Sequence, residues 1–210
     1  MSSLEEIGAG IRRRLDTKYA AREIGLVNTR QAIRRCANAI RACHRAEYER
    51  ADALIAEARE LLDVAESALA AHPDVYYAGF LQDAQKEFAE ARITRAIVAG
   101  GRAPGPQETG VPDVPWLGGL ADAVGELRRH TLDRLRGGQV TEAEQVFSTM
   151  DELHGLLVGI DFPDAMTSGL RRVTDVARAI VERTRGDLTL TSVQHDLAEA
   201  LRADRPGPAS

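Results

Sequence analysis

Apolar residues recur at helical spacing along most of the chain. From Leu4 to about His44, the positions Ile7, Ile11, Leu15, Leu26, Ile33, Cys36, Ile40 and Cys43 keep one helical face. Gly8, Gly10 and Gly25 weaken the run without shifting its phase. At 1.5 Å per residue such a helix is ~60 Å long. That exceeds a small domain, so part of it is expected to pack on a neighbouring chain. A second helix is predicted from about Glu47 to Ala70, through Leu54, Ala58, Leu61, Leu62 and Ala65. It ends where His72 precedes Pro73, a poor place to continue a helix.

Asp74 is a candidate cap for a third helix, from about Val75 to Val98. The stretch "AGGRAPGPQETGVPDVP" then reads as a loop, long enough to be functional or mobile. A fourth helix covers about Trp116 to Leu135 and stops at Gly137-Gly138. Thr141 with Glu144 reads as a capping box opening a fifth, which runs to near Gly159. A sixth spans about Ala165 to Arg185 and closes at Gly186; a short seventh is capped by Thr191 or Ser192. No strand pattern and no internal repeat is found. The expectation is an all-α fold, a single domain of about seven helices over 1–203, with a flexible tail at 204–210.

Composition changes the picture in few places. Aromatics are only 4% of the chain, so the core is expected to be built from aliphatic side chains on helices. The net charge of -5 argues against a generic polyanion binder, and any nucleic-acid surface must be a local patch. Cys36 and Cys43 would lie about 10 Å apart on one helix, too far for a disulfide. They read as small buried residues. "GAG" at 8–10 follows no strand and completes no nucleotide-loop pattern. There is no signal peptide, and no apolar run is long enough to span a bilayer. A cytoplasmic protein without a membrane partner is expected.

Chemistry concentrates in two acidic segments. On the third helix the apolar stripe is Tyr77, Phe80, Leu81, Ala84, Phe88 and Ala91, with Glu87 at its edge and Asp83 and Glu90 just beyond. On the fourth the stripe is Leu117, Leu120, Val124, Leu127 and Leu135. Asp122 and Glu126 stack one turn apart on the opposite side, beside the small residues Gly119 and Ala123, with His130 a further turn on. Such acids are often simply solvated. If the two pairs face one another, their repulsion demands compensation, and a divalent cation supplies it. An all-carboxylate site suits Mg²⁺ or Mn²⁺ over Zn²⁺ and supports phosphodiester hydrolysis.

The basic counterpart lies in the first helix. Residues 11–50 hold eleven Arg or Lys against four Asp or Glu. Arg30, Arg34, Arg41 and Arg45 share a face away from the Ile/Cys stripe, with Asn38 beside them. That face is either solvated or a set of phosphate contacts. With few aromatics to stack on bases, sequence preference would be low.

The segments "DTKYAAREIGLVNTRQAIRRCANAIRACHR", "YYAGFLQDAQKEFAEA", "LGGLADAVGELRRHTLDRLRGG" and "LRRVTDVARAIVERTRGDL" resemble the translin superfamily in order and spacing. The resemblance covers roughly 12–190 and is closest to the translin-associated factor X branch, in its compact prokaryotic form. Its most specific parts are E-[FY]-x-E-A at 87–91 and G-x-A-D-x-x-G-E at 119–126. It implies an all-α fold of seven helices and a closed, hollow oligomer, commonly an octamer, that holds RNA or single-stranded DNA inside. For the factor X branch it also implies a Mg²⁺-dependent endoribonuclease, whose catalytic and metal-binding acids match Glu87, Glu90, Asp122 and Glu126. The family's basic residues line the inner surface, and Arg30, Arg34, Arg41 and Arg45 are the matching choice from helical phase. The loop after the third helix departs from the family and does not align.

Three functions follow. The leading one is a Mg²⁺- or Mn²⁺-dependent ribonuclease acting on single-stranded RNA, with single-stranded DNA as a further substrate class, inside a homo-oligomer. A second is an oligomeric RNA- or single-stranded-DNA-binding protein without catalysis. A third, a carboxylate-bridged di-iron bundle, needs Glu-x-x-His pairs, and Asp151 and His154 offer the spacing with the wrong acid.

Overall fold

The protein is described by a computed structural model, which covers residues 3–203. Among the described residues it is all-α: six long helices and three of a single turn, with no strand. The tail expected at 204–210 lies outside the described residues. The described residues gather into two compact units, divided after Gly119. Among the described residues, no helix is long and apolar enough to cross a membrane.

In the first unit, α1 (Leu4–His44) opens with a Ser3 cap: Ser3 Oγ accepts from the Glu6 amide, and Glu6 Oε2 accepts from the Ser3 amide at 2.9 Å. Burial begins only at Gly25 and then steps through Thr29, Ala32, Cys36, Ala39 and Cys43. α2 (Tyr48–Leu69) buries Ala51, Ile55, Ala58, Leu62, Ala65 and Leu69. Both seams advance by alternating four and three residues, the 3.5 average of a coiled coil. The helices are antiparallel, joined by three residues, with Gly25 facing Leu69, where a Cβ would fall 2.8 Å from Leu69 Cδ1. The turn between them is a Schellman motif: Ala46 takes φ 57°, its amide donates to the Cys43 carbonyl, and the Glu47 amide donates to that of Ala42.

The third predicted helix comes apart in two. α3 (Pro73–Tyr76) is one turn, Gly79 takes φ 104°, and α4 (Phe80–Val98) starts afresh. Gln82 fixes this break, accepting from the Gly79 amide at 3.1 Å and donating to the Tyr76 carbonyl at 2.9 Å. Tyr77, expected on the apolar stripe, is therefore 74% exposed. α4 packs on both α1 and α2. It buries a wider face than the sequence pattern implies, with Gln85, Ala89, Glu90, Ile93 and Thr94 joining Leu81, Ala84, Phe88 and Ala91.

The Gly/Pro loop is ordered around the one-turn α5 (Pro106–Thr109). Arg102 donates to both Glu108 oxygens at 2.7 and 2.8 Å, and Trp116 Nε1 donates to the Pro104 carbonyl at 3.0 Å. α6 (Asp113–Arg136) begins earlier than expected.

The second unit takes α6 from Leu120, then α7 (Val140–Gly159), the one-turn α8 (Asp164–Thr167) and α9 (Leu170–Ala203). α6 stops at Gly137-Gly138 as the sequence predicts, with Gly138 at φ 75°. Gln139, not Thr141, occupies the N-cap of α7, and it makes no side-chain cap bond. The expected sixth and seventh helices are one 34-residue helix, α9. Gly186 sits in its interior because its neighbours are anchored: Arg185 pairs with Asp151 at 3.0 Å, Arg128 pairs with Asp187 at 2.8 Å, and Leu188 is buried. Tertiary packing overrides the glycine's weak helix propensity.

Candidate functional site

Glu87 and Glu90 stand on one flank of α4, and Gly119 lets a second helix reach that flank. A Cβ at Gly119 would lie 2.4 Å from the Lys86 carbonyl oxygen and 2.8 Å from the Glu90 amide nitrogen. These are backbone atoms and cannot swing aside, so only glycine fits. A Cβ at Gly118 would lie 3.1 Å from Lys86 Cγ and Cδ, side-chain atoms that can give way. Asp122 follows on the same unbroken helix, three residues past Gly119 and so nearly one turn on.

One carboxylate oxygen from each of Glu87, Glu90 and Asp122 lies within 4.8 Å of the other two. Glu90 is buried at 9% exposure, and Glu87 and Asp122 are half-buried. Glu126, half-buried one turn further along α6, is not in that group, and Asp83 is exposed. His130 is buried, and its Nε2 accepts from Arg134 Nε at 3.3 Å, so this nitrogen is engaged along its own helix.

Lys86 Nζ stands 3.5 Å from Glu87 Oε1, with both side chains about a third exposed. All three donors are carboxylate oxygens, a hard set that fits Mg²⁺ or Mn²⁺ and disfavours soft metals. Oxygens on opposite sides of one Mg²⁺ are about 4 Å apart, so small side-chain rotations would bring these three around one ion. Cys36, on the α1 seam, lies close to the acids. Burial, and then the charges of Glu87 and Glu90, push its thiol up to about 12. It stays protonated near neutrality. The sequence marks it only as a small core residue.

The four arginines chosen on α1 are all exposed. Arg41 donates to Asn38 Oδ1 within the helix. Arg45 grips Glu47 through Nε and Nη2 at 2.6 and 3.2 Å, which holds the Glu47 carboxyl below its usual range. Arg45 is thus committed to a local carboxylate. Arg35, outside the chosen set, pairs with Glu57 at 2.6 Å.

Fold and site together define an all-helical protein carrying an oxygen-only acidic cluster. No family model matches the chain. It is 30% identical over 184 residues to the uncharacterised protein MJ0175 of Methanocaldococcus jannaschii, covering 86% of this chain and 80% of that one. It is similar to the solved structure of AfC3PO in complex with duplex RNA: 32% identity, 89% of this chain, 96% of that chain, TM-score 0.83. The crystal structure of AfC3PO gives 32% identity, 89% and 97% coverage, and TM-score 0.81. Apo-NeC3PO, at 20% identity, 91% and 100% coverage and TM-score 0.79, bears on the fold alone. The chain belongs to the translin superfamily.

Proposed function

We propose that this protein is a Mg²⁺-dependent endoribonuclease of the translin-associated factor X branch. Its substrate is single-stranded RNA, with single-stranded DNA as a second class. It acts in the cytoplasm inside a closed, hollow homo-oligomer, an octamer in the family's common form, with residues 1–203 serving as one functional domain. The observation that carries the reading is the meeting of Glu87, Glu90 and Asp122 in a chain of this family. AfC3PO, 32% identical, is solved with duplex RNA, which supports RNA as the ligand class.

Glu87, Glu90 and Asp122 would hold the ion, and Glu126, one turn on, would orient the attacking water. When bound, Mg²⁺ supplies positive charge to the phosphate and to the departing oxygen. The exposed guanidinium groups of Arg30, Arg34 and Arg41, and of Arg45 once it leaves Glu47, bind neighbouring phosphates and fix the strand. With so few aromatics, the chain holds the strand by its backbone and reads its bases weakly.

Glu90→Ala and Asp122→Ala are expected to lower cleavage of a labelled single-stranded RNA by at least about a hundredfold. EDTA should do the same to the unaltered protein, and the mass of the assembly should not change. Full cleavage by both variants would remove these acids from the site. The second reading, binding without cleavage, is the answer if the unaltered protein binds single-stranded and duplex RNA in a salt-sensitive way but leaves both intact with Mg²⁺ or Mn²⁺.

A further inference from the structure

A second cleft lies wholly within the first unit, on the other side of α4 from the acids. It has a volume of about 620 Å³ and is lined by α2, α4 and the α5 loop. That is the size of a small-molecule site. Glu90 and Arg92 are two positions apart, a turn of about 200° on a helix, so the acids and the cleft occupy opposite faces.

Three arginines line this cleft, Arg59, Arg92 and Arg95, together with Asp52 and Glu108. The carboxylates are already engaged. Asp52 takes Arg95 Nη2 at 2.8 Å, and Glu108 takes both Arg102 amino groups. Arg59 is held by Asp63 and Glu66, both at 2.8 Å. Arg92 differs. Its one hydrogen bond among the described residues runs to the Glu108 carbonyl, at 3.5 Å, and no carboxylate there lies within ion-pair distance. Most of its donors remain for a ligand. Arg95, three residues on and on the same face, has a buried Nε with no hydrogen-bond partner.

The cleft walls also carry flat surfaces. The Arg59 guanidinium lies over the Phe88 ring at 5.4 Å, and that of Arg95 over Tyr48 at 4.8 Å. Ile55, Ala56 and Ala96 add apolar surface to the lining, and a guanidinium is a plane on which a base can stack.

We propose that this cleft binds a phosphate monoester carried on a planar ring system, a nucleoside 5′-monophosphate in class, with the phosphate on Arg92 and the base against the arginine-capped wall. The site is separate from the acidic cluster and does not depend on the reaction assigned there.

The test is titration calorimetry of the full-length assembly with adenosine 5′-monophosphate, inorganic phosphate and adenosine, in EDTA. The monophosphate is expected to bind saturably, about tenfold or more tighter than either fragment. Arg92→Ala should weaken it by about tenfold or more, and Glu90→Gln should leave it unchanged. Ala56→Trp, at an exposed position on the cleft wall, should block it without touching the core. This second variant decides the matter if Arg92→Ala does not fold. The proposal is overturned by absence of saturable binding, by adenosine or phosphate binding as tightly as the monophosphate, by binding indifferent to both cleft variants, or by binding lost in Glu90→Gln.

Discussion

Gly119 and Gly186 are the same residue in opposite situations. A Cβ at Gly119 would collide with the α4 backbone at Lys86 and Glu90, whereas one at Gly186 would meet nothing within 4 Å. Gly119→Ala is therefore expected to cost about 1–3 kcal/mol and to push α6 off α4, carrying Asp122 away from Glu90. Gly186→Ala, in the exposed interior of α9, is expected to stabilise by about 0.5–1 kcal/mol. Urea denaturation of the two variants reads both signs, and a Gly119→Ala protein as stable as the parent would contradict the close approach. The sequence separates these two glycines only in part. Gly119 stands in the acid-bearing motif with Ala123 and reads as a place of close approach, which the structure bears out. Gly186 reads as a helix stop, because the anchors that hold α9 straight come from Asp151 and Arg128, distant in sequence.

At the scale of elements, the periodic pattern located the long helices but split α9 at Gly186, and the other errors fall at the joints. The break at Gly79 depends on Gln82 reaching back across it, and an unbroken apolar period hides such a bond. The Gly/Pro loop gave no sign of its internal order, to which the Arg102–Glu108 pair and the Trp116 bond to Pro104 contribute. Hydrogen bonds from Arg102, and then the Gly105 amide, hold the Glu108 carboxyl at about 2, against an ordinary 4.5. A lowered carboxyl contributes stability that is present above its unfolded value and lost as pH falls from about 4.5 toward 2. Glu108→Gln is thus expected to lower the melting temperature at pH 7, and the gap to the parent should narrow steadily below about pH 4.5. A gap independent of pH would mean that the carboxylate charge does not hold the loop.

At the scale of the whole molecule, eight of the exposed apolar residues fall into line near the start of α1 and the end of α9. Leu4, Ile7, Ile11 and Leu15 on α1, and Leu190, Val193, Leu197 and Leu201 on α9, form two stripes with the same steps of three, four and four. Continuous exposed stripes of this kind mark surfaces that meet another chain, which supports the homo-oligomer proposed above. Ile7→Glu together with Ile11→Glu is expected to reduce the assembled mass in light scattering while leaving the α1–α2 seam, which starts at Gly25, in place. An unchanged mass would exclude this stripe from the interface. In that assembly α1 would form by two processes of different molecularity. Residues 25–43 gain protection from amide exchange when their own chain collapses onto α2, at a rate indifferent to dilution. Residues 4–15 would be protected only by an encounter between copies, so the two halves of one helix would obey different rate laws.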